Sequence, residues 1–277
     1  MLSNALLPTS CDESPDKPRF EEISFLAVIL GIACMGSVSL WTAQIGVHNG
    51  WVSAFAGSVA MGLFIWFLRK HFDRSALNLR ALFPIVIILI CTLALFLPGS
   101  FYIYGDKDPG VYVLHAYSIA ETGDVLIQDA FAAEGVGLSG LTPTGSGFRF
   151  PGFWYANSGD ASLINPQFFH FLPATLATAF DIGGWSLLLH FNAGIAALSV
   201  VGAFLVMKRV FGSRAAWIAS AFLATNMIQV WQAKYPTTEI LAQLFLFAAI
   251  LAAVIAFDSK RPFYAGVSGF LISMIFL

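Results

Sequence analysis

Long apolar runs, repeated along the chain, constrain this sequence more than any other feature. A helix that crosses a bilayer needs about 20 apolar residues. Such runs cover residues 23–46, 51–68, 81–103, 185–207, 215–230 and 238–257, and another, 264–277, is shorter. Only 11% of the residues are charged, against about 25% in a soluble domain. The sequence therefore predicts an all-α polytopic membrane protein. The short last run predicts a fragment that lacks the C-terminal part of a longer chain.

The distribution of Lys and Arg predicts the orientation of the spans. Basic residues cluster after the second, fourth and sixth runs, at Arg69, Lys70, Arg74 and Arg80, at Lys208, Arg209 and Arg214, and at Lys260 and Arg261. Cytoplasmic links carry such an excess. We expect residues 1–21 to be a disordered cytoplasmic tail and residues 22–103 to form three spans. We expect residues 104–184 to form an extracytoplasmic loop with juxtamembrane helices and residues 185–277 to form further transmembrane helices, and we expect the membrane to be the plasma (inner) membrane. The net charge of −2 gives no indication of a nucleic-acid partner.

The segment 166–180 is apolar but shorter than a span, and it carries Gln167, His170 and Pro173. If it crossed the membrane, the basic link after the fourth run would move to the outer side. The alternative that keeps the charge pattern is a helix in the interface plane. We expect this helix to turn Phe168, Phe169, Leu172 and Leu176 toward lipid.

Two aspartates, Asp106 and Asp108, follow the third run directly. Asp108 and the proline after it are typical of a helix start, and Gly123 is typical of a helix end, so we expect a juxtamembrane helix over about 108–121. Tyr112 and His115 then share a face with Asp108. An acid at this place can be a simple helix cap. The loop nevertheless holds eight of the chain's sixteen acids and only two bases, which favours a chemical role. Carboxylates here suit a hard divalent ion such as Mg or Mn.

Two further groups of polar residues belong to the same predicted side. Arg149 lies among aromatic residues of the loop and can reach an anionic group such as a phosphate. Lys234, Tyr235 and Glu239 lie between the fifth and sixth runs, where Glu239 either belongs to an ordinary helix start or lines a shared cavity.

Two polar side chains fall inside the fourth run. His190 and Asn192 are interpreted as donors of interhelical hydrogen bonds rather than as ligand-binding groups.

The order of these features resembles the GT-C membrane glycosyltransferases, in particular the protein O-mannosyltransferase-like and aminoarabinose-transferase-like branches. The segment Asp-Pro-Gly-Val-Tyr-Val-Leu-His-Ala-Tyr-Ser-Ile-Ala-Glu-Thr-Gly-Asp, residues 108–124, is similar to their first-loop motif. Residues 165–173 resemble their second juxtamembrane helix, residues 208–212 their basic-Phe-Gly turn, and residues 234–239 a later outer-loop motif. The resemblance covers residues 81–257. Two extra spans precede the usual first one, and Pro109 replaces the second acid of the common Asp-Glu pair.

The resemblance implies an inverting transfer of a sugar from a polyprenyl-phosphate donor in the bilayer to a glycan, lipid or protein acceptor. It implies Asp108 as the general base, with Asp106 positioning it or helping to hold a divalent ion. Tyr112, His115, Arg149, Lys234, Tyr235 and Glu239 would then contact the substrates. A transporter and a noncatalytic membrane scaffold are the alternatives. Two features argue against a transporter: the apolar runs contain hardly any charge, and the sequence shows no inverted repeat of the kind that transporters have.

Overall fold

The computed structural model of the chain describes residues 17–68, 79–100, 107–130, 148–150, 152–155 and 162–277. The helices are α1 (Phe20–Gln44), α2 (Gly50–Leu68), α3 (Leu79–Phe96), α4 (Asp108–Thr122), α5 (Phe171–Phe211), α6 (Ser213–Thr225), α7 (Met227–Lys234), α8 (Thr238–Ser259) and α9 (Pro262–Ser273), followed by a 3₁₀ turn at Met274–Phe276. Within these ranges α1, α2, α5 and α8 are long and apolar enough to cross a membrane. The prediction of a helical membrane protein is confirmed at this level.

Ion pairs join the ends of three long helices. Lys208 Nζ lies 2.9 Å from Glu21 Oε1, and Arg209 Nη1 lies 2.6 Å from Glu22 Oε2. Arg209 Nε also lies 2.8 Å from Asp258 Oδ2. The start of α1, the last turn of α5 and the end of α8 therefore meet at one end of the bundle, which we name the charged end.

Glycines let α1 and α2 approach closely. A Cβ added at Gly57 would lie 2.6 Å from the carbonyl oxygen of Gly31, which is too close for any real Cβ. Small residues at a helix crossing allow such backbone contact in membranes. This crossing fixes α2 against the middle of α1.

The helix α5 reverses direction at Gly184, whose φ of 61° and ψ of −156° are not helical. Before this glycine the chain runs in the same direction as α1, because Phe171 and Thr175 lie against Gly36 while Asp181 reaches Gly50. After it the chain runs back along α1 to the charged end. Residues 167–183 therefore form a re-entrant arm, which enters the bundle and leaves it again at the end opposite the charged end.

The arm corrects the prediction of a lipid-facing helix over residues 166–180. Phe169 is 74% exposed, but Leu172 and Leu176 are 1% and 0% exposed, so the prediction that these two leucines face lipid is wrong. The arm packs between α1, α4 and α8, and its apolar side chains contribute to the protein core. An apolar pattern on a short segment does not distinguish burial in lipid from burial in protein.

The apolar run 215–230 is not one span. The chain bends at Asn226, whose side-chain oxygen accepts from the backbone N–H groups of Ile228 and Gln229. This cap ends α6 and starts α7, because it satisfies donors at the new helix start that no preceding turn can reach.

The long loop contains a small antiparallel sheet that the sequence did not predict. Its strands are β1 (Ile127–Gln128), β2 (Phe148–Phe150), β3 (Phe153–Tyr155) and β4 (Leu163–Pro166), in the order β1-β4-β3-β2. Gly152 makes the turn between β2 and β3 with a φ of 87°. Phe153 and Ile164 pack on Val111 of α4. The sheet thus covers the start of α4 and leads directly into the re-entrant arm.

Candidate functional site

A cavity of about 510 Å³ opens where α4, the re-entrant arm and α8 meet. The start of α4 contributes Tyr112, and α8 contributes its first two turns, from Thr238 to Phe245. The arm contributes residues 167–172, and the last residues of the sequence contribute Met274, Ile275 and Leu277. The volume lies within the range of about 300–1,000 Å³ that is usual for small-molecule sites.

The cavity is polar at one end and apolar along its length. Thr238 and Glu239 begin α8, and the Tyr112 hydroxyl lies 3.4 Å from the Thr238 hydroxyl. Phe245 lies seven residues farther along α8, which corresponds to about 10 Å of helix. The centroid of its ring lies 6.1 Å from that of Phe171, the first helical residue of the arm. An amphiphilic molecule fits such a gradient, with its polar group near Glu239 and its apolar part along α8.

The environment of Tyr112 relates two of the predicted acids to each other. Burial raises the pKa of Tyr112, the hydrogen bond to Thr238 opposes this shift, and the negative charges of Glu239 and Asp108 raise the pKa further. Both carboxylates therefore lie within electrostatic range of one phenol. Glu239 lines the cavity, whereas Asp108 is exposed at the first turn of α4.

His115 lies in the core. It is 1% exposed, and its Nε2–H donates a hydrogen bond to the Val125 carbonyl oxygen at 2.9 Å. Burial lowers the pKa of His115 to about 3, and the neighbouring His170 adds to the effect. The sequence placed Tyr112 and His115 on one face, and both rings do turn toward the arm, since they contact Phe168 and His170 respectively. The arm covers His115, so the structure does not bring it to the cavity.

The turn before α8 is held by a buried side chain of α5. The Nδ2 group of Asn192 donates to the carbonyl oxygens of Tyr235 at 2.7 Å and Thr237 at 3.0 Å. This contact is the interhelical hydrogen bond predicted for Asn192, whereas His190 bonds to Ser186 of its own helix and, among the described residues, to no other helix. Asn192 thereby positions the start of α8, with Thr238 and Glu239, against α4.

Lys234 and Tyr235 are not among the described residues that line the cavity. Lys234 ends α7, and its carbonyl oxygen accepts from the N–H of Ser100. The Tyr235 ring packs on Trp231 with 5.2 Å between ring centroids. Arg149 lies in β2, and nothing of its side chain is described. Asp106 lies outside the described residues. Among the residues that are described, no group of three His, Cys, Asp or Glu side chains is placed to hold a metal ion.

Polar contacts fix the end of the re-entrant arm that leads into Gly184 to the corner between α1 and α2. Asp181 Oδ2 accepts from the N–H of Gly50 at 2.8 Å and lies 3.4 Å from His48 Nε2. Burial lowers the pKa of His48, and the charge of Asp181 opposes this shift. Ser39 of α1 bonds to Ala174 and Thr178 of the arm. These contacts set the position of the arm and so the shape of the cavity.

Sequence reasoning missed the cavity residues of the arm, chiefly Gln167, Phe168 and His170. The available signal was a cluster of polar groups inside an apolar run too short to span. The chain matches no protein-family model, no curated protein and no solved structure.

Proposed function

We propose that the chain is a membrane glycosyltransferase that moves a sugar from a polyprenyl-phosphate donor to an acceptor on the extracytoplasmic face. The observation that carries this proposal is the graded cavity, with Tyr112, Thr238 and Glu239 at one end and apolar residues of α8 along its length. A polyprenyl-linked sugar has the same gradient, since a polar head is joined to a long apolar chain. Soluble substrates would not require an apolar wall at this depth.

Sidedness follows from the distribution of charge. The charged end carries Lys208 and Arg209, with Lys260 just after α8. Because cytoplasmic ends of spans are rich in such residues, we assign the charged end to the cytoplasm and the cavity to the outer half of the plasma membrane. Donor lipid would then enter the cavity from the bilayer, and an acceptor would enter from the aqueous side.

The chemistry assigned to the site is an inverting displacement. Asp108 takes the proton from the acceptor hydroxyl as its oxygen attacks the anomeric carbon. The bond from that carbon to the phosphate oxygen breaks, and its electron pair leaves with the polyprenyl phosphate. Glu239 and Tyr112 hold the sugar, while Lys234 and Arg149 stabilise the departing phosphate. A divalent ion at Asp106 and Asp108 stays a prediction, and no step depends on it.

The test uses the chain in liposomes that contain a labelled polyprenyl-phosphate sugar and a candidate acceptor. We expect labelled product with the wild type and a loss of at least about 100-fold in turnover with Asp108→Asn, which is the size of effect that a general base usually provides. Glu121→Gln, at the far end of α4, is the matched control and should keep full turnover.

Other outcomes assign the chain to the alternative classes. Passage of label across the bilayer without a glycosylated product would indicate a transporter. A scaffold would bind the donor lipid but form no product with any acceptor. In that case Asp108→Asn would leave lipid binding unchanged. Either result would refute the transferase.

A further inference from the structure

Glu239 is the one charged side chain among the described residues that line the cavity. Of the described residues that line it, only Tyr112, His170 and Glu239 carry ionisable side chains, and none of these is a cation at neutral pH. Glu239 is exposed at the polar end, and the carboxylate of Asp108 lies close enough to act on the same phenol. Glu239 therefore gives the head-group end of the cavity a negatively charged side chain.

The other ionisable groups of the wall offer neutral hydrogen bonds. Burial raises the pKa of Tyr112, so its hydroxyl stays protonated. Burial lowers the pKa of His170, so its ring stays neutral. The His170 Nδ1 atom is buried and has no hydrogen-bond partner among the described residues. A buried nitrogen without a partner is costly.

The wall also presents flat aromatic surface. Tyr112, which is 5% exposed, stacks on Phe168 with 4.9 Å between ring centroids and an angle of 29° between planes, so each ring covers one face of the other; both residues line the cavity. Phe169 beside them is 74% exposed. Aromatic faces pack well against the carbon-bound hydrogens of a saturated ring, whose hydroxyls can then reach polar groups at the edge. The wall therefore matches an uncharged ring that carries hydroxyls.

We infer that the head-group end of this cavity accepts uncharged sugar rings and rejects rings that carry a carboxylate, with Glu239 as the residue that sets this specificity. The inference rests on the proposed function, because it concerns the sugar that the transferase would hold. It also places the donor phosphate outside the part of the cavity that Glu239 lines. Repulsion between like charges across a solvated gap is modest, so we expect discrimination of about five- to tenfold in Kd.

The experiment measures binding of two rings of equal shape, methyl glucoside and methyl glucuronide, to the purified chain by ligand-observed NMR. The wild type should bind the glucoside about five- to tenfold more tightly than the glucuronide. Glu239→Gln should bring the two Kd values within about twofold of each other, and 0.5 M salt should do so in the wild type because it screens the charge. Glu121→Gln, the matched control, should leave the ratio unchanged.

Failure of this inference differs from failure of the proposed function. Equal binding of both rings by the wild type, or a ratio that Glu239→Gln does not change, would overturn the inference and leave sugar binding intact. If neither ring binds, the cavity is not a sugar site, and the proposed function fails together with the inference.

Discussion

Replacing Asn192 with Leu tests how the start of α8 is held. Asn192 is fully buried, and its Nδ2 group is the shared donor to two carbonyl oxygens, at 2.7 Å and 3.0 Å. Leu has a similar volume and donates nothing, so the variant leaves the Tyr235 and Thr237 oxygens without this partner. The change therefore tests the hydrogen bonds with little effect on packing.

The magnitude follows from the burial of the groups involved. A fully buried acceptor that loses its partner costs about 1–3 kcal/mol, which is about 2–6 kcal/mol for two. The contact with the Tyr235 oxygen is only partly buried, so we take about 3 kcal/mol for the pair. The Asn192 Oδ1 atom is itself buried without a partner among the described residues, and its removal returns about 1 kcal/mol. We expect Asn192→Leu to lower the free energy of unfolding by about 2 kcal/mol.

Reversible unfolding in mixed detergent micelles measures this free energy. Ser199→Ala is the matched control, since Ser199 is buried on the same helix and its hydroxyl has no partner among the described residues. We expect its stability to equal or slightly exceed that of the wild type. If Asn192→Leu lies within about 0.5 kcal/mol of the wild type, the range of an unremarkable surface substitution, then Asn192 does not hold the turn before α8.

Three further outcomes follow from the structure. Gly57→Val should lower the free energy of unfolding by at least about 1 kcal/mol because its Cβ meets the Gly31 carbonyl oxygen. Gly62→Val is the control, since the space around its Cβ is open, and it should not lower stability. Equal effects of the two variants in thermal unfolding would contradict the close crossing of α1 and α2. The pKa of His115 is about 3 when folded and 6.5 when exposed, so the unfolded chain binds the extra proton and stability falls as pH drops below about 6. His115→Gln should remove about 1.4 kcal/mol per pH unit from this slope, and an unchanged slope would show that the ring is not buried. Asp181→Ala removes the contacts of the arm with Gly50 and His48 and should weaken binding of the donor lipid in a filter assay. Unchanged binding would show that the position of the arm does not affect the cavity.

The sequence predicted the class of fold because a bilayer requires long apolar runs, and these runs can be read directly from the order of the residues. It also predicted the helix that begins near Asp108, where the structure has Asp108–Thr122 followed by Gly123 in a left-handed conformation. The signals at both ends of this helix are local, since a proline favours the first turn and a glycine favours the C-cap.

The re-entrant arm escaped prediction because its cause is tertiary. Leu172 and Leu176 are buried in one apolar cluster with residues of α1, α4 and α8 rather than by lipid, and both environments favour the same side chains. The reversal at Gly184 depends on one glycine with a positive φ in a Gly-Gly pair, a signal that also fits a flexible helix. Asn226, by contrast, carried a usable signal, because an asparagine within an apolar run is a common N-cap.

For the site, the sequence placed Asp108, Tyr112 and Glu239 at the same end of the protein, and the structure brings Tyr112 and Glu239 to one cavity. It could not show that the arm would cover His115 or add His170 to the wall, since these contacts join residues far apart in the chain. Whether Asp108 acts as the base stays a prediction.

Photo-crosslinking tests the central claim most directly, namely that the cavity receives the head of a polyprenyl-linked sugar. A polyprenyl-phosphate sugar with a photoreactive group on the first isoprene unit is bound to the chain in liposomes, irradiated and mapped by mass spectrometry. We expect crosslinks in residues 165–172 and 238–245, with loss of labelling when unmodified donor is in excess. Crosslinks confined to the lipid-exposed face of α2, or labelling that excess donor does not reduce, would contradict the assignment of this cavity.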